Sequence, residues 1–369
     1  MGARASKSRR SGSTLKWPLL AAASSFERPR DSIGQRPQLA DCRPTRAAVV
    51  DLRPTYASGD LRSFSVTRFL VKQPFSGEDS KSAQRVPCTF SNMRRFAMKS
   101  LLITSGRAML ATEVFGSGEP IVFLHARVAD RRMWGQQIRE IGVGNQAIAY
   151  DRRGFGETVA EAEDHSAVED LIAVLQSVAG GSPAILVACS QGGGIALDAA
   201  LRYPSYVRGL VLVAPSVTGA PKMTHAARVE DLITRLAAAE ARKDIEEVVA
   251  IRATLWLDGP FQPEGRVAGE ARKLFDEMNV AVLGLPPTGT NTDAPVAYGR
   301  LRELLVPTLV MCGDLDLPGI QERSRYVAAN VSRGTFHQIS GTAHLPSLER
   351  PQEVTSVIAS FINQCKALQ

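Results

Sequence analysis

The stretch Ala184-Ile185-Leu186-Val187-Ala188-Cys189-Ser190-Gln191-Gly192-Gly193-Gly194-Ile195-Ala196-Leu197 passes from an apolar segment of strand length, through a serine, into residues with helical spacing. Ile195, Leu197 and Leu201 mark the helix, so the chain reads as strand, sharp turn and helix. A serine hydroxyl is a poor nucleophile unless a turn lifts it clear of the sheet, beside a base and near backbone N–H groups that can hold an oxyanion. Such a turn is strained and accepts only small neighbours two residues either side of the serine. Gly192 and Ala188 fill those positions, Ala188 standing where glycine is usual. The same glycine-rich junction also suits a phosphate bound at a helix N-terminus, and the stretch alone leaves both readings open.

Outward from this junction, short apolar runs recur at Ile121 to Leu124, Ala147 to Tyr150, Val207 to Val213, Thr308 to Cys312 and Thr335 to Ile339. A weaker alternation covers Ala108 to Phe115. Helical patterns lie between them, at Val168 to Val178, Ile195 to Tyr203, Ile320 to Asn330 and Pro351 to Lys366. Alternating strands and helices with right-handed crossovers predict an α/β fold, a mostly parallel sheet covered by helices on both faces. Ligands then sit beyond the carboxyl ends of the strands. The alternation breaks between Pro215 and Val306, where Met223 to Ala241, Asp244 to Leu257 and Glu264 to Leu283 each read as helix.

Four motifs together resemble the α/β-hydrolase superfamily, over about residues 108 to 365. The junction at Ser190 is similar to its nucleophile elbow, and Leu124-His125-Ala126 to its oxyanion loop. Tyr150-Asp151-Arg152-Arg153-Gly154-Phe155-Gly156 resembles the turn after an earlier strand. Gly341-Thr342-Ala343-His344-Leu345-Pro346 resembles the histidine loop. The resemblance implies an α/β-hydrolase core over residues 98–215 and 300–369, with residues 216–299 as a helical cap, or lid. Within the superfamily the motifs lean towards the enol-lactonase and esterase branch.

The roles follow residue by residue. Ser190 is the implied nucleophile and His344 the implied base. Asp316, three residues after Gly313, matches the family's acid position, with Asp314 next in line; the order Ser, Asp, His is the one this superfamily uses. The resemblance makes His125 structural. His337 lies inside a strand, His165 precedes a helix, and His225 lies near the start of the insertion. The implied oxyanion donors are the backbone N–H of Gln191 and one from Ala126 or Arg127. Arg127 departs from a His-Ala-Gly variant of the loop. If that position needed φ > 0, arginine would cost on the order of 1 kcal/mol. Alternatively, its guanidinium projects into the pocket and favours an anionic substrate.

Composition limits the other classes. The 369 residues carry a net charge of +7, but residues 1–98 hold 18 Lys or Arg against 7 Asp or Glu, and the remainder 26 against 30. The part with apolar periodicity is therefore mildly acidic, so the basic balance of the whole chain gives no argument that this part binds nucleic acid, and no nucleic-acid partner is expected. Residues 1–97 are rich in Arg, Ser and Pro, with breakers such as Arg28-Pro29 and Arg43-Pro44, and read as a disordered basic extension. Three addresses fit parts of it. The first 26 residues have the composition of an organelle transit peptide, Ser8-Arg9-Arg10 ahead of Trp17 to Ala23 is like a twin-arginine signal, and Gly2 with Ser6 fits a myristoylation pattern. Met93 or Met98 as the natural start is the fourth reading, and a cytoplasmic location the default. The five cysteines, an odd number, have no metal-ligand spacing and imply no disulfide framework. Cys189 and Cys312 close strand runs and read as packing thiols. No apolar run reaches the roughly 20 residues a membrane helix needs.

These readings converge on a cofactor-free, metal-free serine hydrolase that cleaves a small carboxylic ester or lactone through an acyl-enzyme. The alternatives are a ligand receptor that keeps the three residues with little turnover, an inactive relative, or a related carbon–carbon hydrolase, perhydrolase or acyltransferase. Branches with an acid nucleophile, such as haloalkane and epoxide hydrolases, do not match Ser190.

Overall fold

The computed structural model describes residues 97–294 and 296–367. The targeting motifs, the basic extension, Met93, Cys42 and Cys88 lie outside the described residues. Nine strands form one sheet in the order β1-β2-β4-β3-β6-β7-β8-β9, with the two-residue β5 (Val159–Ala160) paired to β2. At one edge β1 (Lys99–Ser105) and β2 (Ala108–Gly116) form an antiparallel hairpin, and β2 runs antiparallel to β4 (Gln146–Tyr150). From β4 onwards, through β3 (Pro120–Leu124), β6 (Ala184–Cys189), β7 (Val207–Val213), β8 (Thr308–Gly313) and β9 (Gly334–Ile339), all pairings are parallel.

Every residue of β3, β6 and β8 is buried, which is why these strands read as continuous apolar runs. Their side chains alternate between two cores. Val122, Leu124, Leu186, Ala188, Leu210, Leu212 and Val310 pack with α2 (Ala167–Ala179), α3 (Gln191–Arg202) and α7 (Pro318–Asn330). Ile121, Phe123, Ile185, Val187, Cys189, Val211, Val213 and Met311 pack on the other face with α1 (Gly135–Ile141) and α9 (Pro351–Ala367). Burying each large aliphatic side chain is worth about 1.5–3 kcal/mol, so the sheet is pinned from both sides. Helix α2 starts at an N-cap, where the Ser166 hydroxyl accepts from Glu169 N–H at 3.0 Å, and ends on Gly180 at φ +60°.

The break in alternation is a set of helices, α4 (Ala227–Arg242), α5 (Ile245–Ala253), a π-helical turn (Thr254–Asp258) and α6 (Gly269–Leu283). Val229, Leu232, Val248, Ile251 and Leu255 of this set form a third core with Ala214, Cys312 and Leu317, which follow or close β7 and β8. The inserted helices thus dock at the carboxyl ends of the parallel strands. They are shorter than their periodicity predicts. His225 lies ahead of α4, the expected helix from Asp244 to Leu257 gives way to the π-helical turn, and α6 starts at Gly269 rather than Glu264. Among the described residues no helix is long and apolar enough to cross a membrane.

Candidate active site

Ser190 closes β6 and opens α3 with φ +51° and ψ −117°, a conformation that L residues rarely adopt. The surroundings hold it there. Its N–H donates to Val213 O at 2.9 Å, and its C=O accepts from Gly193 N–H at 2.9 Å, Gly194 N–H at 3.3 Å, and the N–H and hydroxyl of Ser216 at 2.9 and 3.0 Å. Gly192 is required for a separate reason. A Cβ there would lie 2.9 Å from Leu124 O, His125 O and Leu124 Cβ, so α3 can approach β3 only without one. Ala188 is fully buried in the sheet and accommodates its methyl.

His344 lies between β9 and α8 (Pro346–Glu349), and Asp316 between β8 and α7. Both are only 2% exposed. His344 Nδ1 stands 2.8 Å from Asp316 Oδ2, while Asp316 Oδ1 accepts from Leu317 N–H at 2.8 Å. Asp314 is turned elsewhere and accepts from Gly341 N–H at 2.6 Å, bracing the histidine loop without touching the imidazole. Gly313 lets the two loops meet, since a Cβ would fall 2.1 Å from Thr342 O and 2.2 Å from Ala343 O. Two thiols underlie the same loops. Cys189 donates to His344 O at 3.8 Å and Cys312 to Asp316 Oδ2 at 3.8 Å, and burial pushes both thiols up.

Ser190 and His344 line one cavity of about 420 Å³, together with Arg127, Val128, Gln191, Ser216, Leu236, Glu240, Arg252 and Trp256. Of the three candidate oxyanion donors, Gln191 and Arg127 border this cavity. Ala126 is fully buried, with its N–H directed to Met133 Sδ at 3.4 Å. Gln191 begins α3, where helix geometry leaves its amide without an intrahelical acceptor. Arg127 is not among the positive-φ residues, so the loop imposes no glycine there and arginine carries no backbone strain.

His125 is a buried structural residue. Its Nδ1 lies 2.8 Å from Ala126 O and its Nε2 accepts from Arg152 N–H at 3.1 Å, and burial with the Arg152 charge holds it well below the usual histidine range, hence neutral. His337 is half-buried in β9, and His165 Nδ1 lies 3.1 Å from Glu163 O. Neither lines the cavity. Beneath the His125 loop, Arg131 pairs with Asp151 and Glu157, and its N–H donates to Asp151 at 2.8 Å. Burial pushes Asp151 up to about 6 against that pairing.

Sequence reasoning did not single out Leu236, Glu240, Arg252 and Trp256, which come from the inserted helices. The Trp256 ring lies 4.9 Å from that of His344. Arg266, from the segment before α6, ties this region to the histidine loop. It donates to Asp258 O at 2.6 Å, to Gly341 O at 3.1 Å and to the carboxylate of Glu349, which itself accepts from Ala343 N–H at 2.8 Å. Burial pushes Glu349 up to about 7, with Arg266 opposing.

A parallel sheet with a strained serine between strand and helix, and a paired histidine and aspartate beyond later strands, is the architecture of the α/β hydrolases. The chain belongs to that family: the model described as "Alpha/beta hydrolase family" matches residues 121–357. Among curated relatives it is 24% identical to a pimeloyl-[acyl-carrier protein] methyl ester esterase of Nitrosospira multiformis, over 69% of this chain and 99% of the relative. It is 27% identical to an (E)-2-((N-methylformamido)methylene)succinate hydrolase of Acinetobacter baylyi, over 67% and 91%. Among solved structures, a thermophilic esterase from Thermogutta terrifontis superposes with a TM-score of 0.56 at 22% identity, covering 73% of this chain and 99% of that one.

Proposed function

We propose that this chain is a serine hydrolase that cleaves a small carboxylic ester or lactone. The observation that carries the reading is the 2.8 Å contact between His344 Nδ1 and Asp316 Oδ2, at the cavity that Ser190 also lines. Asp316 has no proton to give when ionised, so it accepts from Nδ1–H and leaves the Nε2 lone pair free to act as base. In the proposed cycle Ser190 Oγ attacks the carbonyl carbon while Nε2 takes its proton. The Gln191 and Arg127 amides hold the oxyanion, and Nε2 returns the proton to the departing alkoxide as the C–O bond breaks. Water, deprotonated by the same nitrogen, then releases the acid and restores Ser190. The inserted helices act as the lid that walls the cavity and limits water.

The shared fold and two relatives named for ester and amide-bearing substrates support a hydrolase without fixing the bond cleaved. Mass spectrometry after exposure to a fluorophosphonate tests the reading without a guess at substrate. One adduct is expected on Ser190, absent from His344→Ala. A folded protein that takes up no label would overturn the activated nucleophile and return the chain to the ligand-receptor reading.

A further inference from the structure

The cavity holds an unbalanced charge. Besides His344, its ionisable lining residues are Arg127, Glu240 and Arg252. Arg252 donates to Glu240 Oε1 at 2.9 Å and to Asn279 Oδ1 at 3.3 Å, so the one carboxylate of the lining already has its cation. Arg127 makes no hydrogen bond or ion pair among the described residues. Among the described residues, Arg152 is also without a carboxylate within ion-pair distance. It donates to Gln191 Oε1 at 2.9 Å and His125 O at 3.2 Å, both neutral, and stacks on the Phe155 ring at 4.6 Å. Burial lowers Arg152 to about 10, and the charge of Arg127 adds to that fall. Val128, Leu236 and Trp256 make the remaining walls largely apolar.

Arg127 is an exposed residue with no protein partner among the described residues, bordering a cavity whose other walls are largely apolar, and its guanidinium offers a counter-charge to a ligand that brings one negative charge. We propose that the ester or lactone hydrolysed here carries a free carboxylate and that the Arg127 guanidinium binds it. The inference rests on the ester-hydrolase reading and names its substrate class. Arg127 then does two things from one position: its backbone borders the reacting carbonyl, and its side chain selects the anion. The departure from glycine in this loop is a gain of specificity without backbone strain.

The test compares two chromogenic esters of equal chain length, p-nitrophenyl pentanoate and mono-p-nitrophenyl glutarate. They are assayed with the full-length wild type, Arg127→Gln and Arg127→Lys. The ratio of kcat/KM for glutarate over pentanoate is expected to fall about tenfold or more in Arg127→Gln, chiefly through KM. Arg127→Lys should restore part of it, and added salt should depress it in the wild type. A merely structural role would lower both esters alike and leave the ratio unchanged, and an unchanged ratio overturns the inference while leaving ester hydrolysis standing. If neither ester turns over and no fluorophosphonate adduct forms, the hydrolase reading itself fails. Calorimetry with glutarate then decides the anion site, since binding weakened in Arg127→Gln sustains it and no binding to the wild type removes it.

Discussion

The sheet and the inserted helices meet the same cavity with residues held in different ways. From the sheet come Ser190, His344 and Asp316, fixed by backbone contacts so close that Gly192 and Gly313 cannot carry a Cβ. From the helices come Leu236, Glu240, Arg252 and Trp256, half-buried or exposed and held by side-chain packing and one ion pair. Geometry that rests on backbone approach admits few alternatives. Packing on a helix face admits many, so the two regions should differ in their tolerance of change.

The largest effect lies in the sheet. Ser190→Ala and Asp316→Asn should each lower kcat towards p-nitrophenyl pentanoate by about 10⁴-fold, with melting temperature nearly unchanged. A variant retaining a tenth of the rate would break the assignment. Gly313→Ala comes next. Its methyl would meet two backbone carbonyls of the histidine loop, so about 2 kcal/mol of stability and about a hundredfold in kcat should be lost together. Wild-type melting and turnover would mean that the loop yields more easily than its contacts suggest.

In the inserted helices, Trp256→Ala should raise KM about tenfold and alter acyl-chain preference, while fluorophosphonate labelling of Ser190 stays within about threefold. Equal losses in both would erase the distinction between the regions. The smallest effect sits where they join. Glu349 has its usual value of 4.5 raised to about 7, so the folded chain binds that proton more tightly than the unfolded one. Its contribution to stability is present below about 4.5 and is lost as pH rises towards about 7. Across that interval the melting temperature of Glu349→Gln should gain on the wild type by a few degrees. A difference that moves the other way would show that pairing with Arg266 outweighs burial.

The same contrast explains what the sequence discloses. The strands β3, β6 and β8, and β7 from Leu210 to Val213, were legible because burial on both faces leaves runs of apolar residues, and Ser190, Asp316 and His344 because each sits in a short motif at a strand end. Strand β1 was not read: five of its seven residues, Lys99 to Leu102 and Thr104, are exposed, so hairpin pairing with β2 rather than burial defines it. Arg152 was quoted within a motif, yet its burial against His125, Phe155 and Gln191, with no carboxylate among the described residues in ion-pair reach, follows only from tertiary contact. Helical periodicity located the insertion but not which face would turn towards Ser190, because docking against Ala214, Cys312 and Leu317 decides that. Around Trp256 the expected helix end is a π-helical turn, which the apolar periodicity does not distinguish from an α-helix.

The thiols of Cys189 and Cys312 touch the carbonyl of His344 and the carboxylate of Asp316, and neither is reachable while those loops are closed. Alkylation of either sulfur therefore works as a clock. Its rate, followed in the absence of any substrate, times how often the floor beneath the histidine loop comes apart, and the two cysteines report on its two sides independently.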